Sequence, residues 1–295
     1  MITDFSSYIG AVCQKQFHRT YVGGSPAASG GGKVSRTGFF LASASVGALF
    51  ISPSNPTSSW TVYDGTTLAA GVNVVLPQPS GSDRIYLNKM DAAFLWQGAG
   101  TTTQGVSAAN VKMFDFIAGT TVSVTAGTPV TPPAFPSAAT LAAARADLSG
   151  GDWEAIRPFI KVFIVPTSNH AAFSLTYNTN TASGKTVTVS QSNTFMMEAA
   201  AARGGGFTVV FPEAPDGITN ITAISSSSGT VAFDMYLVYE FPTNSLSSQA
   251  SYIPTSFSDN KLPLVDRKAW LRFVMKQAST GAAKRMALDL DFIHG

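Results

Sequence analysis

The chain has 295 residues, a net charge of +2, 12% charged residues and a single cysteine. Its 19 cations are scattered singly, which excludes the basic stripe of a nucleic-acid binder. Cys13 alone excludes an internal disulfide, and no apolar run reaches the ~20 residues that a membrane-spanning helix needs. The start, MITDFSSYIGAVCQKQF, lacks a basic leader region, so no signal peptide is predicted. A charged fraction about half the usual ~25% fits two kinds of surface. One is a neutral Ser/Thr/Gly exterior; the other is an exterior covered by neighbouring subunits.

Along the chain, Ile2, Phe5, Ile9, Val12 and Phe17 form one helical stripe, which predicts a short amphipathic helix ending near His18. Residues 22–36, VGGSPAASGGGKVSR, read as a flexible linker. Residues 1–36 are therefore read as an arm on a body spanning 37–295. Strands are predicted at 39–42, 48–52, 60–63, 72–76 and 84–96, then as a hairpin, 111–117 with 120–125, turning at Ala118-Gly119. The Pro-rich stretch 128–136 cannot lie inside a sheet. It leads into a helix over 137–148, with Ser137 as N-cap and Gly150-Gly151 as its stop. This stretch, near 126–151, is either a domain boundary or a crossover within one β-fold.

The second half alternates more cleanly. Strands are predicted at 158–165, 173–177, 186–189, 194–199, 207–211, 218–224 and 231–241. The segment AFSLTYNTNTASGKTVTV, 172–189, is a hairpin with one wet face. In 231–241, Phe233, Met235, Leu237, Tyr239 and Phe241 share a face. Residues 269–277 and 286–293 are expected to close the chain as a hairpin around 279–281. Short strands at this spacing predict an all-β fold, a jelly roll or β-sandwich, with a short N-terminal helix and one short internal helix.

Catalytic and metal-binding patterns are missing. His18, His170 and His294 stand at no metal spacing, and neither HExxH nor CxxC occurs. No G-x-S-x-G presents a serine. The carboxylate pairs Asp152/Glu154, Glu213/Asp216 and Asp289/Asp291 are same-neighbourhood pairs, unlike two carboxylates facing each other across a sugar. The triplets Gly30–Gly32 and Gly204–Gly206 lack a following GK[ST]. The four tryptophans, Trp60, Trp96, Trp153 and Trp270, are scattered, which suits core or interface aromatics better than a sugar platform. No enzyme activity and no cofactor are expected.

Four stretches taken in order carry a resemblance: QKQFHRTYVGG, GKVSRTGFFLA, DRIYLNKMDAAF and PFIKVFIVPTSNHAAFSLTYNTNTASGKTVTV. The chain resembles a loose group of tailed-bacteriophage virion proteins, head-associated or minor capsid in type. The resemblance covers about residues 10–240, on low-specificity motifs: the Arg84-Ile-Tyr-Leu87 strand and the Tyr177–Lys185 hairpin. It implies a non-enzymatic subunit assembled in the bacterial host cytoplasm into the virion. Its implied partners are the major capsid protein, other virion subunits and copies of itself. Capsid decoration or a minor head role is the leading expectation; the alternative is a carbohydrate-binding module of a tail fibre. Neither nucleic acid nor membrane is an expected partner. The interface residues expected are Ile2, Phe5, Ile9 and Phe17 of the helix, Pro129, Pro132, Pro133 and Phe135 of the Pro-rich stretch, and Phe292 near the C-terminus.

Overall fold

Alternating apolar residues form strands here, and the strands sort into three antiparallel sheets. The computed structural model describes residues 17–23, 48–50, 56–67, 76–97, 104–106, 109–166, 172–189, 207–241, 251–254, 262–277 and 284–295. Strands are numbered along the chain. The seven-stranded central sheet has the order β10 (Phe207–Val209), β7 (Ile160–Pro166), β12 (Thr230–Glu240), β6 (Ala109–Thr125), β15 (Leu271–Gln277) and β2 (Ala48–Phe50), with β3 (Thr61–Val62) also paired to β6. The six-stranded outer sheet has the order β1 (Phe17–Gly23), β16 (Lys284–His294), β4 (Ile85–Gln97) and β13 (Ser251–Pro254). There β14 (Leu264–Val265) and β5 (Gln104–Val106) also pair with β4. A three-stranded sheet runs β11 (Asn220–Ser226), β8 (Phe173–Asn178), β9 (Lys185–Val189). The all-β expectation holds, although the strand order does not single out a jelly roll.

The main core lies between one face of the central sheet and the inner face of the three-stranded sheet. The central sheet contributes Val122, Val124, Val162, Ile164, Val231, Phe233, Met235 and Leu237; the small sheet contributes Phe173, Leu175, Tyr177, Val189, Ile221 and Ile224. Phe173 and Phe233 stack across the gap, with ring centroids 4.9 Å apart. Each such buried side chain contributes about 1.5–3 kcal/mol relative to exposure. The other face of the central sheet carries a second, aromatic core of Tyr63, Phe114, Phe116, Phe163, Val165, Tyr236 and Val238. Phe116 meets Phe163 at 5.5 Å and Tyr236 at 5.1 Å, both edge-on. A sheet covered on both faces explains why β12 is buried at every position from Phe233 to Val238 rather than at alternate ones.

The 173–189 hairpin forms as its alternation predicts. Phe173 pairs with Val189 and Tyr177 with Lys185, and burial alternates along β8. Its turn is held by side chains: Asn178 Oδ1 accepts from Gly184 N at 3.0 Å, and Thr179 Oγ1 accepts from Ala182 N at 3.0 Å.

Three helical segments follow the Pro-rich stretch: α1 (Ala138–Ala144), α2 (Ala146–Ser149) and α3 (Trp153–Ile156). Ser137 caps α1, its Oγ accepting from Thr140 N at 3.2 Å, and Gly150 ends α2 at φ 60°. The single helix expected over 137–148 is broken at Arg145, whose φ of −134° and ψ of 59° are not helical. Leu141, Ala142, Trp153 and Ile156 enter the main core, so the segment near 126–151 is packed on the β-body.

Three further expectations are corrected. Residues 109–125 form one strand, not a hairpin turning at Ala118-Gly119. Leu237 pairs with Ala118 but Val238 with Phe116, so Ile117 is the extra residue of a β-bulge. The bulge switches the strand's alternation from one core to the other, which in sequence looks like a turn. Likewise, β15 and β16 do not pair as a closing hairpin. The first joins β6 and β2 in the central sheet; the second joins β1 and β4 in the outer sheet. Finally, Phe17 to Gly23 is strand β1 against β16, where the sequence suggests a helix end and a linker. The expected helix before Phe17, the linker from 24 to 36 and the strands at 39–42, 72–75 and 194–199 lie outside the described residues.

Gly119 of β6 sits against two tyrosines of the aromatic core. A Cβ there would lie 2.5 Å from Tyr63 Oη and 2.6 Å from Tyr236 Cδ1. The tyrosines occupy the space that a side chain would fill, which is a usual reason for glycine inside a strand. Gly119→Ala is expected to cost about 1–3 kcal/mol through overpacking. Urea unfolding would show it as a lowered midpoint at unchanged slope.

Candidate functional site

The most polar feature of the interior is built by β6 and the break between α1 and α2. The backbone turn at Arg145 aims its side chain inward, and the whole residue is 0% exposed. Its guanidinium grips Asp115 of β6 in a fork: Nε donates to Oδ2 at 2.6 Å and Nη2 to Oδ1 at 2.8 Å. Nη2 also donates to Phe116 O at 2.9 Å, and Nη1 donates to Tyr63 O at 2.9 Å and Ala144 O at 2.8 Å. Five N–H groups thus meet five acceptors, the full capacity of an arginine. Asp115 Oδ1 accepts in addition from Trp270 N at 2.8 Å.

A second tier continues outward. Asp266 accepts from the backbone of Asp147 (2.8 Å), Leu148 (3.1 Å) and Lys268 (2.8 Å). Burial raises its carboxyl above the usual range, against the pull of those donors and of Arg145. Arg267 Nε donates to Asp147 Oδ2 at 2.6 Å and its Nη2 to Asp83 O at 3.1 Å. Asp83 Oδ2 lies 3.1 Å from His294 Nδ1 at the end of β16. Gly65 closes the assembly: its N donates to Lys268 O at 2.8 Å, and a Cβ there would stand 2.1 Å from Ala269 O. The segment 262–270 therefore ties the central sheet, the helices and the outer sheet together. Asp, Arg and His meet here, yet the carboxylates and guanidinium of the inner pair are consumed by one another and by backbone. The arrangement serves as a staple.

On the aromatic face, Asp234 is buried beside Tyr236, whose Oη lies 3.5 Å from Oδ2. Burial raises the Asp234 carboxyl and also the Tyr63 phenol. Arg272, 1% exposed, sits 5.0 Å over the Trp270 ring, and desolvation brings its guanidinium down to about 9. That value leaves it cationic at neutral pH.

The expected site residues fall as follows. Ile2, Phe5 and Ile9 lie outside the described residues, and Phe17 opens β1 opposite Ile293. The Pro-rich stretch lies on its own body. Pro132 is buried, Pro133 O accepts from Trp60 Nε1 at 3.0 Å, and Phe135 meets the Trp60 ring edge-on at 5.2 Å. Val130 bridges to Ile224, and Pro129 is exposed. Phe292 is 0% exposed within this one chain. Of the carboxylates in those pairs, Asp152, Glu154 and Glu213 are engaged locally. Asp152 caps α3 by accepting from Glu154 N at 3.0 Å, Glu154 meets Arg157 at 2.5 Å, and Glu213 meets Lys185 at 2.5 Å. Among the described residues, no three His, Cys, Asp or Glu side chains are grouped to hold a metal ion.

Sequence reasoning passed over Asp115, Arg145 and Asp266. Their one signal is a lone arginine at the end of an alanine run, AATLAAAR. It also passed over the end of the central sheet, where β10 is the terminal strand. Val210 is 74% exposed and Phe159 is 60% exposed there, the large exposed hydrophobics among the described residues. Beside them is a groove of about 240 Å³ lined by Pro158, Lys161, Thr208, Phe211, Ala214 and Ile218, among others. Arg157 Nε holds the far wall by donating to Asp216 O at 3.1 Å.

No family model matches the chain, and no curated protein matches it in sequence. A chain in the solved structure of infectious bursal disease virus, Gt strain, is similar at 11% identity and a TM-score of 0.18. The match covers 95% of this chain and 79% of that chain. A superposition that loose carries no inference about fold or function.

Arg145→Ala leaves Asp115 buried without its cation and is expected to cost about 3–5 kcal/mol. Lys268→Ala, which removes a half-exposed partner 3.8 Å from Asp64, should cost under about 1 kcal/mol. Parallel urea titrations measure both.

A raised folded-state pKa at Asp234 means that the folded chain holds the proton longer than the unfolded chain does. Its stabilising contribution is complete below the unfolded value of about 3.9 and is lost as pH climbs through the folded value. Asp234→Asn should therefore gain on the wild type as pH rises from about 4 to about 8, read as the difference in unfolding free energy.

Proposed function

We propose that the chain is a structural subunit of a virus particle, which does its work by packing against neighbours rather than by chemistry. The observation that carries this reading is the contrast between interior and edge. The inner ionic groups are spent on stapling the chain's own elements, while the large apolar side chains left in water gather at one sheet edge. The low charge agrees with a surface shared with other subunits. Its resemblance to tailed-bacteriophage head-associated proteins supports the narrower reading, a capsid decoration or minor head protein that binds major capsid subunits and copies of itself. The sugar-binding alternative draws little support from the aromatics. Trp153 is buried, Trp60 is packed on Phe135, and Trp270 lies between Tyr63 and Arg272.

Quantitative mass spectrometry of purified particles of the virus that encodes the chain tests the proposal. Abundance comparable to the major capsid protein is the result expected of a decoration protein. A small fraction of it would move the subunit to a vertex, neck or tail. Absence from the particle would overturn the virion reading.

A further inference from the structure

We propose that the groove beside Phe159 and Val210 is a self-recognition surface: two copies of the chain meet there about a twofold axis, and each seats its Phe159 ring in the groove of the other. The proposal rests on the reading of the chain as a self-associating subunit, and does not require the particle. It calls on side chains alone, with no hydrogen bond across the seam. Phe159 is 60% exposed and Val210 is 74% exposed. Phe159 directly precedes β7, and Val210 directly follows β10, which pairs with β7, so both stand at one end of the central sheet. Large apolar side chains left in water side by side mark an interaction surface rather than a solvated one.

The surface carries both halves of such a contact. Its groove holds about 240 Å³, and a cavity of about 150 Å³ already takes up a benzene ring. Pro158 and Ile160, on either side of Phe159 in the chain, line the groove, whereas Phe159 does not. The ring is therefore a knob on the rim, next to the hole. Val210 lines the hole and is still mostly exposed, so its open side is apolar as well. The hole is also built in advance. Gly217, at φ 75°, lets the far wall pass so close to Arg157 that a Cβ there would stand 2.6 Å from Arg157 O. Gly217 N donates to Ala214 O at 3.0 Å, and Arg157 Nε donates to Asp216 O at 3.1 Å. A wall braced in this way costs little further ordering when a ring enters.

A knob and a hole side by side make a surface complementary to itself when it is turned about a twofold axis. This is the isologous arrangement, in which residue i meets j while j meets i. Any other partner must offer a pocket for Phe159 and a projection for the groove at the same spacing, which a second copy does by construction. Charge complementarity selects the same occupant. Lys161 is the charged residue of the lining, and Glu240 of the same chain answers it. Arg157, which braces the wall, is answered by Glu154. An acidic or a basic partner would find no counter-charge to gain here, whereas two such copies approach without repulsion. One axis uses both knobs and both holes, so the contact closes without propagating.

The test uses the full chain with Cys13→Ser, so that no disulfide contributes. Sedimentation velocity over a range from micromolar to near-millimolar is expected to show a dimer, or a larger assembly containing it. Phe159→Lys and Val210→Glu, both at exposed positions, should each weaken the association roughly tenfold or more, with far-UV circular dichroism and the melting profile unchanged. Mixed in equal amounts, the two variants should associate more tightly than either does alone. One of the two contacts then sets the introduced ammonium against the introduced carboxylate, and the other is wild type. A wild-type chain that stays monomeric throughout would overturn the proposal, as would variants that assemble like wild type or a mixture no tighter than its parts. A monomeric chain whose Phe159→Lys variant is lost from particles would give the surface to another virion subunit and overturn the second copy as its occupant. A monomeric chain that enters particles with or without Phe159→Lys would overturn this inference and leave the virion reading standing. A groove-paired dimer absent from particles would do the reverse.

Discussion

A single buried ion pair organises the molecule. Two charges taken out of water pay a desolvation cost that their mutual attraction alone does not repay, so such a pair persists only when every remaining donor is met. Arg145 and Asp115 satisfy that condition by reaching backbone on four elements: β6, the turn after β3, the end of α1 and the start of β15. The pair therefore acts less as glue than as a locator. Greasy faces fit together in many ways, whereas five donors meet five acceptors in one way. The break between α1 and α2 falls at Arg145, the residue that reaches β6.

Once the pair is set, the outer tier falls into place. The loop that brings Trp270 N to Asp115 also brings Asp266 to the first turn of α2 and Arg267 to Asp83. Through Asp83 and His294 the outer sheet is tied at its β16 end. Polar contacts thus join layers whose apolar clusters are separate among the described residues: the main core, the aromatic core, and the small cluster of Tyr86, Leu262 and Ile293.

Period-two patterning made the strands legible, and β8, β9 and β12 fall where alternation puts them. Capping chemistry likewise located Ser137 and Gly150. What stayed hidden was non-local. Alternation says that β15 and β16 are strands but not that they leave for different sheets, because partner choice depends on residues far away. The bulge at Ile117 and the glycine at 119 imitate a turn, since both features mark turns in isolation and only the tyrosines above them reveal the close approach. The staple was invisible for a similar reason. Arg145 and Asp115 are unremarkable where they stand in sequence, and their meaning is their meeting. β10 was legible as a strand, while its terminal position came from the sheet order alone.

The outer sheet has a consequence in time as well as in space. β16 lies between β1 and β4, and Phe17 pairs with Ile293, 276 residues further along (293 − 17). β4 is made roughly 190 residues before the strand that sits beside it. At synthesis rates of about 5–20 residues per second, β1 waits on the order of 10–50 seconds for its partner strand, and β4 waits about as long with the edge that β16 covers still open. Contacts this distant are also slow to form once the chain is complete. The outer sheet is thus assembled late, after the central sheet has been given most of its strands, and the waiting strands are the part of a nascent chain most exposed to chaperones or to wrong partners.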